Sequence, residues 1–465
     1  MATLSDAILK GSLADVEALI AQGAPINQID QYGFTPLIQA CIKDDYDKAA
    51  LLIHRGAEID SFDITGSDAL HWALDNSNYA LCELLLQKGA NANGYSHDGQ
   101  PALIRPVLRD QRDFVDLLYK YGAKLSFAQD YINTKLIGHR FELQGVTDIV
   151  DTTNMFIEVS FEGFFLEFTL GVIRDSLQRF VKSYEAHRIQ LEVDELHQIL
   201  ETLQIASKLR ELHRYNIDVE NYREVIAPLI QRDLLLLPIS FEGHAITVCQ
   251  HGAYFAKCDR AENRMSDPIV IQHIQNTNIL SYGFYKDLLY KKGAAQAQFI
   301  KTGLSDVLGL KPLTKLPIKH QITGNCSWAN VEAAIPTMLF MLLKDKYPNM
   351  DVKELAKRVM KFYTAWKAWD KDRAIEDCLA DFQSANKSRQ ASKVALLGAV
   401  FFQALDPTHE RDIAKAKKII PVLMMKEFRY VLKSYINVYI RAKKTHEGDK
   451  LELLLKSCGL SYRDI

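Results

Sequence analysis

No excess of either charge sign marks this sequence: 56 Lys and Arg stand against 58 Asp and Glu over 465 residues, a formal net charge of −2. Bulk charge therefore gives no reason to expect a nucleic acid or an anionic membrane surface as partner. Long apolar runs are also missing. The longest mostly apolar stretches, residues 333–343 and 394–405, fall short of the roughly 20 residues that span a bilayer. The opening MATLSDAILKGS has neither a basic nor an apolar leader region, so no Sec-type signal is expected. Cysteines at 41, 82, 249, 258, 326, 378 and 458 form no CxxC pair and no His/Cys cluster at zinc spacing, which predicts a reducing compartment and no metal site. P-loop, dinucleotide and HExxH patterns are absent, so neither a cofactor nor zinc-peptidase chemistry has support. What is left is an ordinary globular composition, 48% hydrophobic and 25% charged, with length for about two or three domains.

A repeat fills the first 128 residues. Gly-Ala pairs recur at Gly23-Ala24, Gly56-Ala57, Gly89-Ala90 and Gly122-Ala123, always 33 residues apart, and Gly33, Gly66 and Gly99 keep the same step. Leu4, Leu37, Leu70 and Leu103 are in register, as are Leu19, Leu52, Leu85 and Leu118. Each unit reads as turn, helix, helix, with glycine closing the second helix. One such unit cannot bury its apolar face alone, so neighbours must stack. The motifs DQYGFTPLIQA (30–40), LLIHRGAEID (51–60), DITGSDALHWA (63–73) and LLLQKGANAN (84–93) resemble ankyrin repeats. Pro106 stands where the second and third units have Ala40 and Ala73, which kinks or shortens that helix. The resemblance implies a protein partner on the concave, finger-tip side, where Gln31 and Tyr32, Ile64 and Thr65, and His97 and Asp98 are in register.

From Asp130 the period changes. Residues 155–170 (MFIEVSFEGFFLEFTL) are rich in β-branched and aromatic residues and read as strands. Helical patterns over 172–186 and 190–214 lead to a β-rich block at 234–240, 244–250, 253–259 and 269–274. A His251-Gly252 turn is expected between the second and third of these. Residues 291–325 read as a looser stretch. A helix from Ser327 to Leu343 follows, with Pro336 expected to kink or split it. Residues 350–465 read as helices punctuated by Asp406-Pro407 and Ile420-Pro421. Between 410 and 444, ten Lys/Arg oppose three Asp/Glu with aromatics interleaved. Phe428, Leu432, Tyr435 and Tyr439 fall at helical spacing, so a core-facing stripe is expected rather than a nucleic-acid surface.

Four residues of the middle region suggest chemistry. Cys326 opens the helix that follows Gly324 and Asn325, a position where the macrodipole and free N–H groups favour thiolate. His244 begins one hairpin strand after a Glu242-Gly243 turn, and Asp259 ends the partner strand. A turn at 251–252 would set them directly opposite, within imidazole–carboxylate reach. Asp259 would then fix the tautomer of the ring that activates the thiol. Gln321 could present its amide to a developing oxyanion. A Cys-before-His order is disfavoured, because only His409 and His446 follow Cys326, both in polar breaks.

The order His244, Asp259, Gln321, Cys326 resembles thiol peptidases related to adenovirus protease, a clan that includes ubiquitin-like-protein peptidases and bacterial effector acetyltransferases. The combination of repeats, TGNCSWAN (323–330) and a helical tail is similar to the ankyrin effectors of Legionella. The expected architecture is an α-helical ankyrin solenoid (1–128) and an α+β papain-like or adenovirus-protease-like cysteine peptidase domain (129–345). A helical C-terminal domain or cap (346–465) completes it. The resemblance implies an effector delivered into a host cell by a non-Sec, type IV route, acting in the host cytoplasm with the nucleus as a second compartment. Three activities stay open. They are a thiol hydrolase acting on a peptide or ubiquitin-like substrate, an acyltransferase using the same Cys and His, and a non-catalytic binder of a host protein. Trp328 and Asn330 are candidates for lining a groove, with packing as their alternative.

Overall fold

A computed structural model describes residues 3–189, 192–212, 219–241, 244–260, 269–321, 324–442 and 445–465. The chain forms two compact units. One comprises residues 1–134 with 146–160 and 385–396, and the other residues 135–145, 161–384 and 397–465.

In the first unit, four helix pairs follow one another: α1 (Leu4–Lys10) and α2 (Leu13–Ala21), α3 (Pro36–Ile42) and α4 (Tyr46–His54), α5 (Ala69–Asp75) and α6 (Tyr79–Gln87), α7 (Ile104–Leu108) and α8 (Arg112–Lys120). Local chemistry starts them. Thr3, Ser12, Thr35, Asp45, Asp68 and Asn78 each cap a helix through the side chain, which satisfies N–H groups the helix leaves free. The register leucines Leu37, Leu52, Leu70 and Leu85 are fully buried between pairs. Gly23, Gly56, Gly89 and Gly122 hold φ between +88° and +101°, a conformation only glycine adopts cheaply. Pro106 sits in α7, which has five residues against seven in α3 and α5.

Each finger tip stacks on the next. Ile64 N–H donates to the Tyr32 carbonyl and His97 N–H to that of Thr65. Gly33 abuts Ile64, Gly66 abuts His97, and Gly99 abuts Val159 and Ile157, all too closely for a Cβ to be added without a shift. The last contact is with the antiparallel hairpin of β1 (Val146–Val150) and β2 (Phe156–Ser160), which takes the place of a fifth finger and extends the row. Asp130, in α9 (Leu125–Phe141), accepts a two-pronged ion pair from Arg389 and another from Lys393, fastening residues 385–396 to the same unit. Of the sequence reading at 155–170, only β2 is strand. Leu166, Leu170, Ile173, Leu177 and Phe180 are buried at steps of four and three, so α10 (Leu166–Val181) is helical, and this periodicity outweighed β propensity.

The second unit is built around a five-stranded antiparallel sheet in the order β3 (Leu234–Phe241), β4 (His244–His251), β5 (Tyr254–Cys258), β6 (Val270–His273), β7 (Lys311–Lys315). Both faces are covered. Leu234, Leu236, Ala245, Cys249, Ala256 and Cys258 pack toward α10, α12 (Val193–Glu211), α17 (Cys326–Lys346) and α18 (Val352–Ser384). Leu235, Leu237, Ile246, Val248 and Phe255 pack toward α13 (Arg223–Ile230), α14 (Tyr282–Tyr290) and α16 (Leu304–Leu308). A strand buried on both faces reads as a continuous apolar run, which explains LLLLPIS. The stretch read as loose holds α15 (Ala294–Gln298), α16 and β7. Short elements leave too few residues for a period to show.

Helix α17 runs unbroken through Pro336, correcting the expected break. By length and composition it could cross a membrane, but 94% of its apolar window is buried inside the protein, so it is a core helix. The loss at Pro336 is one hydrogen bond and a local clash, against burial of nearly every residue from Ser327 to Leu343. Helices α11 (Tyr184–Arg188), α19 (Lys387–Ala399), α20 (Glu410–Leu423), α21 (Arg429–Ile436) and α22 (His446–Ser457) complete the chain. Pro421 lies inside α20 rather than at its boundary. Phe428 and Leu432 are buried, and Tyr435 and Tyr439 stack on Phe402, so those aromatics pack rather than face a ligand.

Candidate functional site

The site is assembled by three elements of the second unit. His244 is the first residue of β4, Asp259 follows the end of β5, and Cys326 is the first residue of α17. The expected hairpin register was wrong by two residues. His251 pairs with Tyr254 and Thr247 with Cys258, so the turn is Gly252-Ala253, with Gly252 at φ +53°. A two-residue hairpin places glycine at its first central position where the second residue keeps negative φ. The ladder ends at Thr247, and Asp259 meets His244 diagonally rather than directly across, still within side-chain reach. The His244 ring Nε2 lies 2.9 Å from Asp259 Oδ1. The Glu242-Gly243 turn is outside the described residues.

The Cys326 thiol lies close enough to the imidazole to act on its pKa. The Asp259 carboxylate, only 7% exposed, raises the His244 pKa to about 9, and the Cys326 thiol adds to it against partial burial. Burial pushes the Cys326 thiol up, but the His244 ring and the N–H groups of Ala245 and Ser327 more than offset this and hold it below its ordinary value. Imidazolium and thiolate thus stabilise each other, as expected for a cysteine at a helix start beside a protonated histidine. Burial drives Cys41, Cys82, Cys249 and Cys458 upward. Cys258 is also held low, where hydrogen bonds with Cys249, Thr337 and Thr247 outweigh burial, but it is fully buried and so closed to a substrate.

Asn330, one helical turn beyond Cys326, holds the other two residues in place. Its Nδ2 donates to the Ala245 carbonyl and its Oδ1 accepts from Arg260 N–H, both at 2.7 Å. The Thr247 hydroxyl donates to the Asn330 carbonyl at 2.9 Å. One fully buried amide therefore ties the helix bearing the thiol to the neighbours of His244 and of Asp259. Arg260 is itself buried and paired with Glu142 and Glu332, and Glu332 also accepts from Tyr363 and Lys367. Trp328 is 2% exposed and stacks on His139. Neither Asn330 nor Trp328 lines a groove.

Gln321 donates its backbone N–H to the Arg260 carbonyl at 3.1 Å. Its side-chain oxygen is buried with no hydrogen-bond partner among the described residues, and Gln321 is not among the residues lining the cleft at Cys326. That cleft measures about 510 Å³ and is lined by His244, Cys326, Phe165, Phe241, Arg210 and Lys292, among others. At its edge, Gly324 passes so close to Glu162 that a Cβ would lie 3.0 Å from the carboxylate. Sequence reasoning missed Arg210 and Lys292. Arg210 follows an apolar helical stripe and looks like a solvated face, and Lys292 lies in the stretch read as loose.

The six finger-tip residues Gln31, Tyr32, Ile64, Thr65, His97 and Asp98 are all exposed. Tyr32 and Ile64 are unusually so for apolar side chains, at 52% and 67%. Stacked fingers in a chain that also carries an α+β unit and helices at its C-terminal end define an ankyrin-repeat protein with a mixed domain. A family model for ankyrin repeats in three copies matches residues 51–128, and one for a single ankyrin repeat matches residues 32–64. No curated protein matches the chain. Among solved structures, it is similar to the Legionella effector AnkH, with a TM-score of 0.86 and 37% identity over 99% of this chain and 98% of that one. The chain belongs to the AnkH family of Legionella effectors.

Proposed function

We propose that the protein is a translocated effector that engages a host protein through its ankyrin finger tips and hydrolyses a peptide or isopeptide bond at Cys326. The observation that carries the catalytic reading is the His244 ring bonded to Asp259 and sharing one cleft with Cys326, with the thiol at the start of α17. In this reading the second unit is a cysteine-peptidase-like fold of the adenovirus-protease type.

The chemistry follows from these roles. The Cys326 thiolate attacks the carbonyl carbon, forming a C–S bond while the carbonyl π pair moves onto oxygen. The Cys326 N–H, at the free start of the helix, stabilises that oxyanion. The intermediate collapses as the C–N bond breaks, and imidazolium His244 gives its proton to the leaving amine. Water then attacks the thioester, His244 takes the water proton, and the acid leaves as the thiolate is restored. Asp259 keeps the ring oriented and favours its charged form.

The test is the rate of Cys326 alkylation by iodoacetamide from pH 4 to 9, followed by mass spectrometry in the wild type and in His244→Ala. Reaction that sets in well below the ordinary thiol range of about 8.5, and that the variant loses, supports the reading. An ordinary thiol indifferent to His244 overturns it and leaves the finger tips, whose exposed Tyr32 and Ile64 favour partner binding, as the functional surface.

A further inference from the structure

The cleft at Cys326 contains a cation that the catalytic roles do not use. Arg210, near the end of α12, lines the same cleft as His244 and Cys326. Its guanidinium is largely removed from water, and Nη1 is buried with no hydrogen-bond partner among the described residues. Among the described residues, the groups acting on it are the Glu167 carboxylate, in α10, and the Tyr290 hydroxyl. Burial works against its charged form more than these groups support it. An orphaned, desolvated donor of this kind is costly in the free protein, and a carboxylate reaching the guanidinium from the cleft would offset that cost. The guanidinium fork matches a carboxylate in shape as well as charge. Lys292 adds a second positive charge on the cleft wall, and Phe165 and Phe241 supply apolar walls for an aliphatic stem.

We propose that Arg210 is a specificity-determining residue, selecting substrates that carry an acidic side chain a few residues from the bond attacked by Cys326. This rests on the hydrolase reading above and names its substrate class, an acidic peptide segment. One desolvated arginine and one lysine suit a single carboxylate better than the phosphate cluster of a coenzyme A thioester.

The experiment uses the full chain and peptidyl acyloxymethyl ketones in which glutamate is walked through the four positions preceding the reactive ketone. Each probe is compared with its glutamine counterpart by the rate of Cys326 labelling. At one position the glutamate probe is expected to label about tenfold faster, the scale of one charge-assisted hydrogen bond. Arg210→Gln should abolish that ratio and Arg210→Lys should retain part of it, while His244-dependent iodoacetamide labelling stays unchanged in both. Equal labelling by glutamate and glutamine probes at every position, with iodoacetamide labelling still dependent on His244, overturns the acidic preference and leaves the hydrolase reading standing. An ordinary, His244-independent thiol overturns both. Protection of Cys326 by coenzyme A, lost in Arg210→Gln, overturns the peptide assignment in favour of a phosphate-bearing ligand. The wild-type ratio needs no variant, so the proposal stays open to refutation even where Arg210→Gln fails to fold.

Discussion

The ankyrin unit and the five-stranded unit reach their surfaces by different routes. In the repeats, every exposed finger-tip residue is placed by its own unit and the next, through contacts such as His97 N–H to the Thr65 carbonyl about 30 residues away. In the sheet unit, Cys326 meets His244 from 82 positions along the chain, and a single asparagine holds the helix and strands in mutual register. The first arrangement repeats a local solution, while the second makes chemistry depend on a few long-range contacts. A disturbed repeat should weaken the array without altering the thiol, whereas a disturbed clamp should cost stability and thiol activation together.

Asn330→Leu should produce the largest effect. It leaves Arg260 N–H and the Ala245 carbonyl buried without partners, at about 2–5 kcal/mol in urea unfolding. The Cys326 alkylation profile of the folded fraction should move toward ordinary thiol pH. Wild-type stability, or an unchanged profile, would remove Asn330 as the clamp. Leu70→Ala opens a cavity between stacked helix pairs and should cost about 2–5 kcal/mol. The pH profile of Cys326 should be untouched, because none of the groups that set it lies in the repeats.

His244→Ala should slow iodoacetamide labelling at pH 6, because the thiolate fraction falls as the thiol returns to its ordinary range of about 8.5. Asp259→Asn is a finer probe. The ion pair exists between the depressed thiol pKa and the His244 pKa of about 9, so it forms as pH rises through the first and is lost as pH rises through the second. Without the carboxylate, the upper limit should fall toward about 6.5, read from the His244 ring carbons by NMR. An upper limit still near its wild-type position would show that Asp259 does not support the ring charge. Ile64→Lys should change stability by less than about 0.5 kcal/mol. It should also reduce capture of a host protein by the full chain, and a pull-down indistinguishable from wild type would count against the finger tips as the partner surface.

The sites differ in how far they could be read in advance. Cys326 could be placed because glycine and asparagine before an apolar run mark a helix start. His244 and Asp259 could be paired from a short hairpin, although the turn was misplaced and their contact is diagonal. Asn330 stood out only as a candidate for lining a groove, and its clamping role gave no signal. An asparagine four residues into an apolar helix looks like any other polar position until the carbonyl of Ala245 and the N–H of Arg260 are brought to it. Arg210 was hidden for the opposite reason, because a charged residue beside an apolar stripe normally faces water, and only the packing of α12 removes it from solvent.

The amino-acid sequence alone determined the repeat: its 33-residue period, its glycine turns, its capped helices and the finger tips they present. Each of those features is satisfied within one unit and its neighbour, so local chemistry suffices. Tertiary structure decided that the hairpin of residues 146–160 would extend the finger row and that Leu166–Val181 would be helix rather than strand. It also decided that Pro336 would be accommodated inside a buried helix, and that a thiol, an imidazole and a carboxylate would converge. Those outcomes depend on which surfaces bury one another and which polar groups find partners across the chain, and no short window of residues contains that information.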